Sequence, residues 1–275
     1  MIRLEQSEHW LLLPHQTHAA LAGEFARHWK NELFSPPDPF AHVLDAVSRH
    51  DDSWTARDRT PELTPDGHPS AFSRELVGSY DAFEDIDLAA YLHVRGEATE
   101  RAAKRDPYSA ILISMHTVNL LTEQADLSGL SDADRALHAG FIEGQRQRQE
   151  ELKADLLSRP ELAPFLEEDH LQRAFEFLQA CDSLSLLVGV DYPERSTLRH
   201  AQTTRSGEKM TIQYLPLPDF RYRLTPWPLD EPEVILGIPY RRVPKSSCAS
   251  LEKFREAYAN GDTCLRRITL IGDPV

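Results

Sequence analysis

The chain has 275 residues, 41% hydrophobic and 27% charged, the proportions of an ordinary globular protein long enough to bury a substantial core. Its 44 acidic against 30 basic side chains leave a net charge of -14, which argues against nucleic acid and anionic membrane surfaces as partners. Cys181, Cys248 and Cys264 have no disulfide or zinc-knuckle spacing, no stretch is long enough for a signal core or a membrane span, and the expected compartment is the cytoplasm.

Met1 to Leu13 reads as one or two short strands. A first helix is expected from about Gln16 to Lys30, because Leu21, Ala22, Phe25 and Trp29 recur at helical spacing. "SPPDP" (35–39) breaks the chain, and a second helix from about Phe40 carries Val43, Leu44 and Val47 into His50. Residues 52–80, with Pro61, Pro65, Gly67, Pro69 and Gly78, read as a long loop of the kind that covers a site. Helices follow over about Leu88 to Lys104, from Pro107 through "YSAILISMHTVNLLTEQ", and from the Ser131-x-x-Asp134 capping signature to about Leu157. A sixth runs from about Leu166 to Val190.

Beyond it the pattern changes. Of 19 prolines, 9 fall in residues 193–275, whereas residues 70–159 contain only Pro107. "KMTIQYLPL", "FRYRLTPW", "EVILGIPYRRV" and "LRRITLI" have strand-like alternation, with a short helix expected over 250–261. The expected fold is mainly α: about six helices in one bundle over residues 14–190. Residues 1–13 and 191–275 should form a small antiparallel β segment packed on it.

Three groups of side chains carry chemistry. His18 shares a helical face with Leu21, Ala22 and Phe25, so its imidazole should point inward. His50 and Asp51 end the apolar second helix, and Asp182 sits in "FEFLQACDSLSLLVGV", where an unpartnered carboxylate is costly. Two imidazoles and two carboxylates suit a divalent ion that keeps positions open for water. His116 and His138 lie on apolar faces either side of a turn near Gly129. An antiparallel hairpin would place them at similar heights, as ligands of a second ion bridged to the first by Asp51.

The order His18, His50-Asp51, Asp182 on successive helices resembles the HD-domain superfamily of metal-dependent phosphohydrolases, and His116 and His138 resemble the extra ligands of its dinuclear members. With "PWPL" (226–229), the whole chain resembles a bacterial family of HD-like proteins of unknown function. The resemblance implies an HD-like helical fold, His18, His50, Asp51 and Asp182 as primary ligands, and one or two ions of Mn, Mg, Ni or Fe. It also implies hydrolysis of a small phosphorylated substrate, a nucleotide or a metabolite, by a metal-activated water. Adjacency makes Asp52 the candidate general base, Arg49 or Arg57 candidate phosphate contacts, and Trp54 a pocket wall. The alternatives are a two-iron oxygenase of a small molecule and a non-catalytic module that binds a metal or nucleotide. Oligomeric state is left open.

Overall fold

The computed structural model describes residues 1–79 and 87–273. In chain order the strands are β1 (Ile2–Glu5), β2 (His9–Leu13), β3 (Ser196–Thr197), β4 (Gln202–Thr203), β5 (Lys209–Met210), β6 (Gln213–Leu217), β7 (Arg221–Thr225), β8 (Glu233–Pro244) and β9 (Thr263–Ile271). The helices are α1 (His15–His28), α2 (Phe40–Arg49), α3 (Thr55–Arg59), α4 (Arg74–Ser79), α5 (Leu88–Arg105), α6 (Pro107–Asn119), α7 (Asp132–Leu156), α8 (Glu168–Gly189) and α9 (Leu251–Asn260).

Local chemistry sets the long helices. Asp87 accepts from the Ala89 amide to start α5. Asp106 accepts from the Tyr108 and Ser109 amides, with Pro107 at the first helical position, to start α6. Ser131 caps α7 through the Asp134 amide, and α6 continues into a π turn over Leu120–Gln124. Within α1, Gly23 faces α2, where a Cβ would collide with the Ser48 hydroxyl. That close approach brings His18 and His50 together.

The sheet corrects the expectation of a mainly α bundle with a small antiparallel appendage. Helix accounts for 53% of the structure, but 19% is strand, in a seven-stranded curled sheet and a two-stranded one. The large sheet has the order β1-β2-β8-β9-β7-β6-β3 and is mixed, because β7 and β9 run parallel while its other pairs are antiparallel. Strand β8 is the reason for its size. It is 12 residues long and pairs with β2 on one side and β9 on the other, joining the N-terminal hairpin to the tail.

One face of this sheet is apolar and packs on the helices. Ile2, Leu4, Leu11, Leu13, Tyr222, Ile238, Tyr240 and Leu270 belong to the same buried cluster as Phe25, Val47, Leu112 and Leu178. Tyr240 donates to the Gly189 carbonyl at 2.7 Å and Tyr214 to the Tyr192 carbonyl at 3.0 Å, tying the sheet to the end of α8.

Nor is 52–79 an unbroken loop, residue 80 lying outside the described residues. It contains a 3-10 turn over Asp52–Trp54, then α3 and α4. Phe72 is strapped to the edge of the sheet: its amide donates to the Met1 carbonyl and its carbonyl accepts from the Arg3 amide, both at 2.9 Å.

Candidate metal centre

Helices α1, α2, α6 and α8 converge on five titratable side chains: His18, His50, Asp51, His116 and Asp182. Each of these residues, taken whole, is at least nine-tenths buried, and His50 is wholly so. His18 Nε2 lies 3.2 Å from His50 Nε2, 3.3 Å from Asp51 Oδ2 and 3.4 Å from Asp182 Oδ1. His50 Nε2 is 3.3 Å from Asp182 Oδ1 and 3.8 Å from Asp51 Oδ2. Ligand atoms about 2.1 Å from an ion lie about 3.0 Å apart at adjacent octahedral positions and about 3.4 Å apart in a tetrahedron. Four of the five separations, at 3.2–3.4 Å, fall in the range of such edges, and the His50–Asp51 separation is longer. Ligating atoms of His18, His50 and Asp51, and those of His50, His116 and Asp182, each fall within 4.8 Å of one another.

The supporting hydrogen bonds aim the right nitrogens inward. His50 Nδ1 donates to the Val47 carbonyl at 2.9 Å, so Nε2 faces the cluster. Ser185 Oγ commits its hydrogen to the Asp182 carbonyl and lies 2.6 Å from His18 Nδ1. It therefore accepts from Nδ1–H, which leaves the Nε2 lone pair free to coordinate. The Gln179 side-chain nitrogen lies 2.7 Å from His116 Nδ1, while its Oε1 is buried without a partner. Turning that amide over satisfies Oε1 with the Nδ1 hydrogen and frees His116 Nε2 as a ligand.

Electrostatics fit a cation. Burial opposes charge on Asp51, yet Arg95, His50 and His18 outweigh it and hold the carboxyl well below its usual range. Burial likewise opposes charge on Asp182, but His50, followed by His116 and His18, brings it down to about 2. His50 is disfavoured as a cation by burial, and Asp51 and Asp182 still push its pKa up to about 9. Without an ion, the proton on His50 and the Arg95 guanidinium together offset the two carboxylates, and an ion entering the site would displace that proton. His116 is brought down to about 3, by burial above all, and is neutral.

Two expected residues lie elsewhere. His138 Nε2 donates to the Leu121 carbonyl at 3.0 Å, level with the π turn rather than with His116. The π turn carries α6 beyond the register assumed for a simple hairpin, so His138 satisfies a backbone group there. Asp52 is half-buried, and Arg49 Nη1 contacts its Oδ2 at 3.4 Å; its lining neighbours are Arg49, Arg101 and Arg105, away from the ligands. Burial raises its pKa above the usual value. Arg49 also pairs with Asp45, and Arg57 lies over the Trp54 ring at 5.9 Å. Trp54 stacks on His15 with ring centroids 4.9 Å apart, and lines a second cavity with His15, Asp58 and Phe72.

Arg95 was not singled out from the sequence. Its Nη1 donates to Asp51 Oδ1 at 2.7 Å and its Nε to the Tyr91 hydroxyl at 3.1 Å. Its guanidinium sits 5.2 Å from the Trp54 and Tyr91 ring centres. The available signal was Tyr91-x-x-x-Arg95 on one face of α5, with Trp54 as an aromatic partner.

A model of the family DUF3891, a protein family of unknown function, matches residues 1–245. The chain belongs to DUF3891. That match takes in every residue of the cluster, both strands of the N-terminal hairpin and all of β8 in this DUF3891 chain. No curated protein and no solved structure matches it. Among the described residues, no helix is long and apolar enough to cross a membrane.

Proposed function

We propose that this chain is a metal-dependent hydrolase of a small phosphate ester, working with one divalent ion held by His18, His50, Asp51 and Asp182. The observation that carries the reading is the pair of His18 and His50 Nε2 atoms, 3.2 Å apart and each within 3.8 Å of a carboxylate oxygen of Asp51 and of Asp182, with the His50 and His18 Nδ1 atoms already committed elsewhere. The order of these residues also resembles that of HD-domain phosphohydrolases. A divalent ion supplies a water activated near neutral pH and a Lewis acid for a phosphoryl oxygen. Arg95 keeps Asp51 ionised and fixes which carboxylate oxygen faces inward. Ser185 and the Val47 carbonyl hold the two imidazoles in the ligating orientation. Mixed imidazole and carboxylate donors suit Mn, Fe or Ni ahead of Mg.

The two-iron oxygenase reading requires Asp51 to bridge and His138 to ligate. Arg95 occupies Asp51 Oδ1, and the Leu121 carbonyl holds His138 Nε2, so the single-ion reading is better supported. His116, within reach of His50 and Asp182, extends the donor set.

Elemental analysis after anaerobic purification tests the proposal on the wild type, Asp51→Ala and Asp182→Ala. The expected result is one divalent ion per wild-type chain, lost in both variants while each stays folded, with turnover on a panel of phosphate esters. Full occupancy in both variants would sink the site. Two irons per chain would transfer the case to oxygenation, and tight metal without turnover to a binding module.

A further inference from the structure

Trp54 and Phe72 line a cavity that shares its Phe72 wall with the space around His18, Asp51 and Asp182. Its acidic side chains are already engaged. Asp58 accepts from the His15 amide at 2.6 Å and from the Met1 amino group at 3.4 Å, and lies 2.9 Å from His15 Nδ1. Glu62 is paired with Arg255. Burial holds His15 below its ordinary pKa, so its imidazole is neutral near pH 7 and adds no charge.

The donors of the same cavity are in the opposite state. Trp54 is 2% exposed, yet its Nε1 is buried without a partner. An indole N–H can only donate, and a buried one ordinarily meets an acceptor. Arg57, half-buried, holds its guanidinium over the Trp54 ring, 5.9 Å from its centre, and has neither a carboxylate nor a carbonyl partner among the described residues. Pro61 and Phe72 supply apolar surface beside them. What this space lacks is a negatively charged acceptor.

We propose that this cavity binds a compact monocarboxylate. The carboxylate accepts from Trp54 Nε1 and pairs with the Arg57 guanidinium, and the organic group packs on Pro61 and Phe72. A guanidinium matches a carboxylate with two parallel hydrogen bonds. A water or a neutral amide satisfies Trp54 but leaves Arg57 without a counter-charge. A phosphoryl dianion sets a second negative charge beside the carboxylates of Asp58 and Glu62, at a cost in desolvation and repulsion. The site stands whether or not the His18–Asp182 cluster holds a metal.

Nuclear magnetic resonance of the nitrogen-15-labelled full chain reads the indole directly. The 4 tryptophans give one indole N–H signal each, and the signal lost in Trp54→Phe belongs to Trp54. Titration with benzoate or with propionate should move that signal downfield, as an N–H that gains a charged acceptor does, while benzamide, the neutral analogue of benzoate, should leave it in place. Arg57→Gln should weaken carboxylate binding by about 10- to 100-fold at an unchanged melting temperature, and Arg57→Lys should restore part of it. A Trp54 signal that stays put with both carboxylates up to about 50 mM means that the cavity holds only water, and overturns the proposal. So does a response to benzamide equal to that with benzoate, or an Arg57→Gln affinity within twofold of the wild type.

Discussion

At the scale of single residues, the proposed centre depends on side chains that touch the candidate ligands as much as on those candidates. Arg95→Met removes the guanidinium partner of buried Asp51 and leaves its charge to His18 and His50 alone, and breaking such a buried pair costs up to about 3–5 kcal/mol. Urea unfolding of metal-free protein should show that loss, and saturating metal should recover much of it; an unchanged midpoint would refute the pairing. Ser185→Ala removes the acceptor that orients His18. Competition against a chelator should show metal affinity reduced by about 10- to 100-fold. The cluster was legible because His18, His50, Asp51, His116 and Asp182 interrupt apolar helical faces. Gln179, Asp182 and Ser185 repeat every three residues along α8, so the supporting polar groups were written in the same register. Arg95 was not legible: it stands among polar neighbours in "VRGEATER", and its burial comes from Trp54, 41 residues away in sequence.

At the scale of elements, α6 brings His116 to the cluster, and its start is set by one carboxylate. Asp106 Oδ1 takes the Tyr108 and Ser109 amides, and Oδ2 lies 2.7 Å from His42 Nδ1 on α2. Asp106→Ala should lower stability by about 1–2 kcal/mol in denaturant titrations, and a neutral result would contradict the capping role. The helices were readable from periodicity and caps. The π turn was not, because one extra residue in a turn leaves no mark in an apolar repeat; it displaced His138 from the expected ligand set. Each long strand of the tail was visible as a strand. The architecture of the sheet was hidden, since pairing β2 with β8 is a contact between segments more than 200 residues apart, and alternation within a strand does not name its partner.

At the scale of the whole molecule, one core serves sheet and helices together. Residues 14–190 alone would expose the part of α8 that Ile2, Leu13 and Tyr240 cover. That fragment should show no cooperative thermal transition, while the full chain unfolds in one step by fluorescence and circular dichroism; a fragment that melts sharply would disprove the shared core. Acid should weaken the fold near α1. Asp58 Oδ2 accepts from the His15 amide at 2.6 Å, and Oδ1 lies 2.9 Å from His15 Nδ1. Burial opposes its charge, but His15 and the Met1 amino group outweigh it and hold the carboxyl far below its usual range. Burial keeps His15 itself below its ordinary value, so at neutral pH that contact is a hydrogen bond rather than an ion pair. A depressed carboxyl stabilises the fold above the unfolded value of about 3.9, and the contribution disappears as pH falls through the folded value. Urea midpoints of the wild type should therefore drop more steeply than those of Asp58→Asn below about pH 5. Parallel curves would exclude Asp58 as the cause.

The pairing of the N-terminal hairpin with β8 also sets a schedule for synthesis. Trp10, Leu11, Leu12 and Leu13 leave the ribosome more than 200 residues ahead of their partner strand, since His9 to Leu12 pair with Arg241 to Pro244. At about 5–20 residues per second the hairpin waits roughly 10–50 s for that strand. During the wait its apolar edge is open to other chains, so crowded expression should yield aggregates nucleated at this hairpin, and a holdase that covers nascent hairpins should raise the yield of folded protein.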